Sequence, residues 1–233
     1  MPATAYITNV LAGLTMASAQ IVRLITVTNQ KTLADLLAVT PAAFNNKVMG
    51  RRPFIIEELL ALAREFKLEK PARQVQAYID LRTSLYPRLA SLPIVPKTVA
   101  ARADIPYYDF NRRLHDAHLW KRGEIEAINR SLISVHHQLA AFVNIQKGED
   151  HANADSGRSL FVTRLLELPV LRSEISRQAG MAPAHLHRRL RTPQKLTPAE
   201  INAIIGAIDA MTRQLAGFIY RPISTHSQPT DVA

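Results

Sequence analysis

The 233-residue chain contains no cysteine, which excludes a disulfide framework, a thiolate metal site and a cysteine nucleophile. Glycine is scarce, 8 residues in all, and β-branched residues seldom alternate with polar ones over the stretch that a half-buried strand needs, so sheet is not expected. Aromatics make up 6% against 47% hydrophobic residues, which leaves Leu, Ile, Val and Ala to build the core. The sequence has no glycine-rich phosphate loop, nucleophile elbow or paired His-Glu zinc motif, so neither catalysis nor a cofactor is expected. The uncharged run at residues 3–22 includes Thr4, Thr8, Asn9, Thr15, Ser18 and Gln20, which reads as too polar for a spanning helix. No Lys or Arg precedes it, as a secretory signal would require, and the expected place is the cytoplasm, on the nucleoid.

What the chain has is positive charge and a repeat. A formal net charge of +10 and a pI near 10.2 make polyanions the natural partners, nucleic acid before an anionic membrane. The repeat emerges when 66, and then 76 more, is added to the numbers of the segment that begins at Leu33. Val39 then pairs with Ile105 and Met181, Phe44 with Phe110 and Leu186, and Val48 with Leu114 and Leu190. Continued without a gap, the offsets pair Phe54 with Trp120 and Leu196, Leu59 with Ile125 and Ile201, and Leu62 with Ile128 and Ile204. Two columns are invariant: Glu58, Glu124 and Glu200, then Ala61, Ala127 and Ala203. The pattern predicts a helix ending near Ala38, a turn whose apolar residue plugs the core, and a second helix buried through i and i+4 positions. Thr40-Pro41 starts that second helix with an N-cap residue followed by a proline whose missing N–H costs nothing. Thr197 and Glu200 form a capping box for a helix running toward Phe218.

The first copy resembles the phage-repressor and Cro type of helix-turn-helix domain, in Ala34-Asp35-Leu36-Leu37-Ala38-Val39-Thr40-Pro41 and Gly50-Arg51-Arg52-Pro53-Phe54. The resemblance implies compact all-α modules, three in tandem, with the second helix of each motif in the major groove of double-stranded DNA. Carried over residue by residue, it implies base contacts from Ala42, Ala43 and Asn46, from Tyr108, Asp109 and Arg112, and from Ala184, His185 and Arg188. Asn46 suits adenine, Arg112 and Arg188 suit guanine, and the alanines suit a thymine methyl. Position 50 departs from the pattern, becoming Asp116 and Thr192 in the later copies, so their loops are expected to differ.

Charge follows the repeat. Residues 40–52, 106–122 and 183–195 carry +3, +2 and +4 of the chain's +10. The phosphate-contact candidates are Lys47, Arg51, Arg52, Arg113, Lys121, Arg122, Arg189, Arg191 and Lys195. Six to nine such contacts predict that log affinity falls with log salt at a slope of roughly −5 to −8.

Other constellations are weaker. The pairs His115/His118, His136/His137 and His185/His187 lie on separate modules, so no metal site is expected. Tyr107-Tyr108 could serve as a strand-transfer nucleophile only within an arginine and histidine pocket that one motif does not supply. Module boundaries are expected at residues 1–90, 91–147 and 159–221, with a polar linker at 148–158 and a disordered tail from 222 to 233. Helices are expected at 6–28 and from Glu124 to about Ile145, and a helix pair at 71–89. The functional expectation is a sequence-specific regulator or a site-binding protein of a mobile element. An architectural DNA binder and a helical interaction scaffold are the alternatives, and no small-molecule effector or oligomeric state can be read.

Overall fold

The computed structural model describes residues 6–148 and 155–220. The chain is all-α: twelve α-helices and two 3-10 turns account for the regular structure among these residues, with one isolated β-bridge and no strand. In order these are α1 (Tyr6–Ile25), α2 (Gln30–Leu36), α3 (Pro41–Val48), α4 (Ile56–Glu65), α5 (Glu69–Ala90), α6 (Pro96–Arg102) and α7 (Tyr107–His115). They continue with α8 (Arg122–Gly148), α9 (Asp155–Leu166), α10 (Arg172–Gln178), α11 (Pro183–Arg191) and α12 (Pro198–Tyr220), and the 3-10 turns are Ala117–Leu119 and Pro193–Lys195.

Two compact units divide the chain between Leu85 and Tyr86, within α5. The first copy of the repeat lies in one unit, and the second and third lie in the other. Of the stretch expected as a linker at 148–158, Gly148 ends α8 and residues 155–158 open α9; residues 149–154 and the tail from 222 lie outside the described residues. The helix pair expected at 71–89 is one helix, α5. Pro71 falls in its first turn, where no N–H is required, and Pro87 lies close to its C-terminal end.

Helix α1 corrects the reading of residues 3–22, because it is long and apolar enough to cross a membrane by length and composition. Its Ile, Leu, Val, Met and Ala residues outweigh the small polar ones. Ile7, Val10, Leu11, Leu14, Ala17, Ile21 and Ile25 are nevertheless buried within the first unit.

The helix starts reproduce the repeat offsets without error. Helices α2, α6 and α10 begin at 30, 96 and 172; α3, α7 and α11 at 41, 107 and 183; α4, α8 and α12 at 56, 122 and 198. The turns between the first two helices of each copy are also alike. Val39, Ile105 and Met181 donate backbone N–H bonds to the carbonyls of Ala34, Ala100 and Ser176 at 3.0, 3.0 and 2.9 Å. This six-to-one bond closes the turn around a left-handed residue, as in a Schellman motif. The residue is Ala38 (φ 52°), Asp104 (φ 55°) and Gly180 (φ 65°). Only the third copy uses the residue that adopts this conformation without steric cost.

A prediction follows for Gly180. Its added Cβ would meet nothing within 4 Å, so Gly180→Ala tests the backbone conformation alone and should cost about 1–2 kcal/mol in urea unfolding. An unchanged midpoint would contradict the left-handed turn.

After the second helix the copies diverge as position 50 suggests. Gly50 is left-handed at φ 73°, whereas Asp116 is extended at φ −133° and Thr192 has φ −130°, and both lead into the 3-10 turns. The core beneath is shared. Phe44, Phe110 and Leu186 are all but fully buried, as are Leu62, Ile128 and Ile204. Phe44 meets Phe54 edge to face at 5.9 Å, and Phe110 meets Trp120 in the same way at 5.6 Å. Each such ring, removed from water, contributes about 1.5–3 kcal/mol and fixes its helix against the rest of the copy.

Candidate nucleic-acid interface

The second helices are held by a device that the invariant glutamate column announces only in part. Glu58, Glu124 and Glu200 each accept from the backbone N–H three residues earlier, at Ile55 (2.9 Å), Lys121 (3.0 Å) and Thr197 (2.8 Å), satisfying an otherwise orphan donor at the start of α4, α8 or α12. Their carboxylates also reach back across the copy. Lys47 Nζ bonds Glu58 at 2.6 Å, Arg113 bonds Glu124 at 3.1 Å, and Arg189 Nε bonds Glu200 at 3.0 Å. These cations occupy one repeat column, 47, 113 and 189, eleven residues before the glutamates. The column was legible as basic in all three copies, but its partner was not, because the pairing spans the turn between helices.

Three phosphate candidates are thus engaged within their own copies. Lys47, Arg113 and Arg189 face inward and are mostly buried, the Arg113 side chain being 10% exposed. Each staples a second helix to a third helix and is committed to a carboxylate. His185, expected on a base edge, has internal partners as well: its Nε2 lies 2.5 Å from Glu200, and its Nδ1 lies 3.1 Å from Arg188 Nη2. Asp109 forms an ion pair with Arg112 at 3.5 Å on the same helix. Ala43 is half-buried, with its N–H capped by Thr40 Oγ1 at 3.2 Å.

The remaining candidates face water. Ala42, Tyr108, Arg112, Ala184 and Arg188 are exposed on the second helices and Asn46 is half-buried, while Arg51, Arg52, Lys121, Arg122, Arg191 and Lys195 are exposed around the loops that follow. Tyr108 is 77% exposed, too open to serve the core. Each copy thus shows a helix face of small, aromatic or guanidinium groups flanked by cations, held from behind by an internal ion pair. Comparison of the chain with family models, curated proteins and solved structures gives no match.

Glu200 has the densest set of partners. Burial pushes its carboxyl up, but the Thr197 N–H, His185 and Arg189 together outweigh burial and hold it at about 2, below an ordinary 4.5. A depressed carboxylate contributes stability above its unfolded value and loses it as pH falls through the folded one. The unfolding midpoint of the second unit should therefore drop between about pH 4.5 and pH 2, and Glu200→Gln should flatten that part of the profile. A variant with the wild-type acid profile would refute the pairing. Among the described residues the other histidines do not converge: the His136 ring lies 5.9 Å from Tyr220 and 5.8 Å from His137, and burial, then His137, lowers its pKa.

Proposed function

We propose that this chain is a sequence-specific double-stranded DNA-binding protein whose three repeat copies act as helix-turn-helix modules. The carrying observation is the coincidence, in one chain, of three turns closed by the same bond with three outward helix faces flanked by cations. In this reading α3, α7 and α11 are the recognition helices. Asn46, Tyr108, Arg112 and Arg188 meet base edges, with Arg112 and Arg188 suited to guanine. Arg51, Arg52, Lys121, Arg122, Arg191 and Lys195 hold phosphates and fix position without reading sequence.

The proposal needs no cofactor and places the protein with chromosomal or mobile-element DNA in the cytoplasm, as a regulator or site-binding protein. Linking readers in one chain raises affinity, because later contacts become intramolecular after the first. The test is recovery of sheared genomic DNA by the purified chain at physiological salt, followed by sequencing. A recurrent motif longer than about one helical turn, roughly 10 base pairs, supports sequence-specific readout. Recovery without enrichment would replace it with an architectural role, which the small groups Ala42 and Ala184 on two reader faces would suit. Failure to retain duplex would leave a protein-interaction scaffold.

A further inference from the structure

The geometry points to a single chain that reads two unlike half-sites in inverted orientation, an inference that rests on the DNA-binding proposal above. It comes from bonds far from the reader faces. Leu92-Pro93-Ile94-Val95 leads into α6, and 76 residues later Leu168-Pro169-Val170-Leu171 leads into α10. Ile94 forms an antiparallel bridge with Val170, its own counterpart in the repeat. Val95 donates to the Pro169 carbonyl at 3.0 Å, and Leu171 donates to the Pro93 carbonyl at 3.1 Å. Exchanging each residue for its counterpart turns one bond into the other.

A second pair of bonds, carried by different elements, obeys the same exchange. Gln214 of α12 donates to the Ser91 carbonyl at 2.8 Å, and Gln138 of α8 donates to the Glu167 carbonyl at 3.4 Å; 138 and 214 are counterparts, as are 91 and 167. Copies stacked head to tail meet through different surfaces, so no residue pairs with its own counterpart. Reciprocal contacts mark a two-fold axis. Helices α8 and α12 pack on each other, and Leu132, Val135, Leu139 and Phe142 are buried along with their counterparts Ile208, Met211, Leu215 and Phe218.

The second unit is therefore an internal pseudo-dimer. Helices α7 and α11 stand at equal height along its axis, as the two recognition helices of a symmetric dimer do. Duplex DNA has dyads of its own, and a two-fold reader seated on one addresses half-sites on opposite strands, about one turn or a multiple of it apart. The half-sites are unlike because the faces are unlike: Tyr108 and Asp109 on α7 stand where Ala184 and His185 stand on α11, and only Arg112 and Arg188 match. The first copy belongs to the other unit and has Thr28 at the column of Ile94, so this axis does not constrain it.

The test makes the two faces alike. A full-length variant with Tyr108→Ala, Asp109→His, Asn111→His and His115→Arg gives α7 the side chains of α11 at every column from 184 to 191 except the buried one at Phe110. The variant and the wild type each select from a pool of random 40-base-pair duplexes, and the recovered sequences are aligned. The expected result is two different half-motifs for the wild type and a self-complementary palindrome for the variant. Direct repeats, or a single half-motif, would overturn the inverted arrangement while leaving DNA binding intact. No enrichment from either protein would bring down the DNA-binding proposal and this inference with it. Should the variant not fold, hydroxyl-radical footprints of the wild type on its selected duplex decide: protection on the two strands related by a dyad supports the inference, and protection repeated by translation refutes it.

Discussion

Exchanging Arg188, Arg191 and Lys195 for glutamate lowers duplex affinity by about 100- to 1000-fold near 0.1 M salt, because losing two phosphate contacts removes about 2 from the salt slope and losing the Arg188 contact to guanine costs about 1–3 kcal/mol more. All three residues are exposed on α11 and the turn that follows it, so the unfolding midpoint should stay near that of the wild type. Arg189, between them in sequence, behaves differently. Its guanidinium bonds Glu200, and reversing its charge leaves two carboxylates facing each other and loosens the copy itself. The contrast between neighbours on one helix separates a binding surface from a structural staple. Affinity within about threefold of wild type after the triple exchange would remove α11 from the interface.

Truncating Trp120 to alanine should cost about 3–5 kcal/mol of stability in the second unit, the range for a buried aromatic. Trp120 is 3% exposed and supports Phe110 edge to face at 5.6 Å, so its loss leaves a cavity under α7. The third copy places Leu196 in the same column, and Trp120→Leu should recover much of the loss. Its indole Nε1 is buried without a partner, which means that no hydrogen bond is lost in either variant. Urea unfolding measures both changes. Equal, small effects would show that α7 does not depend on this ring.

The apolar columns of the repeat were legible in sequence because helix packing is written in side-chain size and spacing, and Phe44, Phe110 and Leu186 all lie where the offsets put them. Loop divergence after the second helix was legible too, since a left-handed Gly50 cannot be replaced by Asp116 or Thr192 without a different backbone. The fate of the cations was not. Lys47 and Arg51 look alike in sequence, yet one reaches a glutamate across a turn and the other faces water, and only the fold brings Glu58 within 2.6 Å of Lys47. The pseudo-dyad had a visible trace in Leu92-Pro93 and Leu168-Pro169, and in the 76-residue spacing carried past Ile128 and Ile204. Its meaning was hidden, because equal spacing is common to translation and rotation alike. Only a residue bonded to its own counterpart distinguishes them.

Duplex binding through the exposed cations of the copies carries the proposed function. Its most direct test is affinity of the full chain for its selected duplex, titrated with salt from about 0.05 to 0.3 M. With Lys47, Arg113 and Arg189 committed to glutamates, contacts from Arg51, Arg52, Lys121, Arg122, Arg191 and Lys195 predict a slope of log affinity on log salt of about −5. A slope shallower than about −2, or no measurable binding at the lowest salt, would contradict the assignment of these copies to DNA.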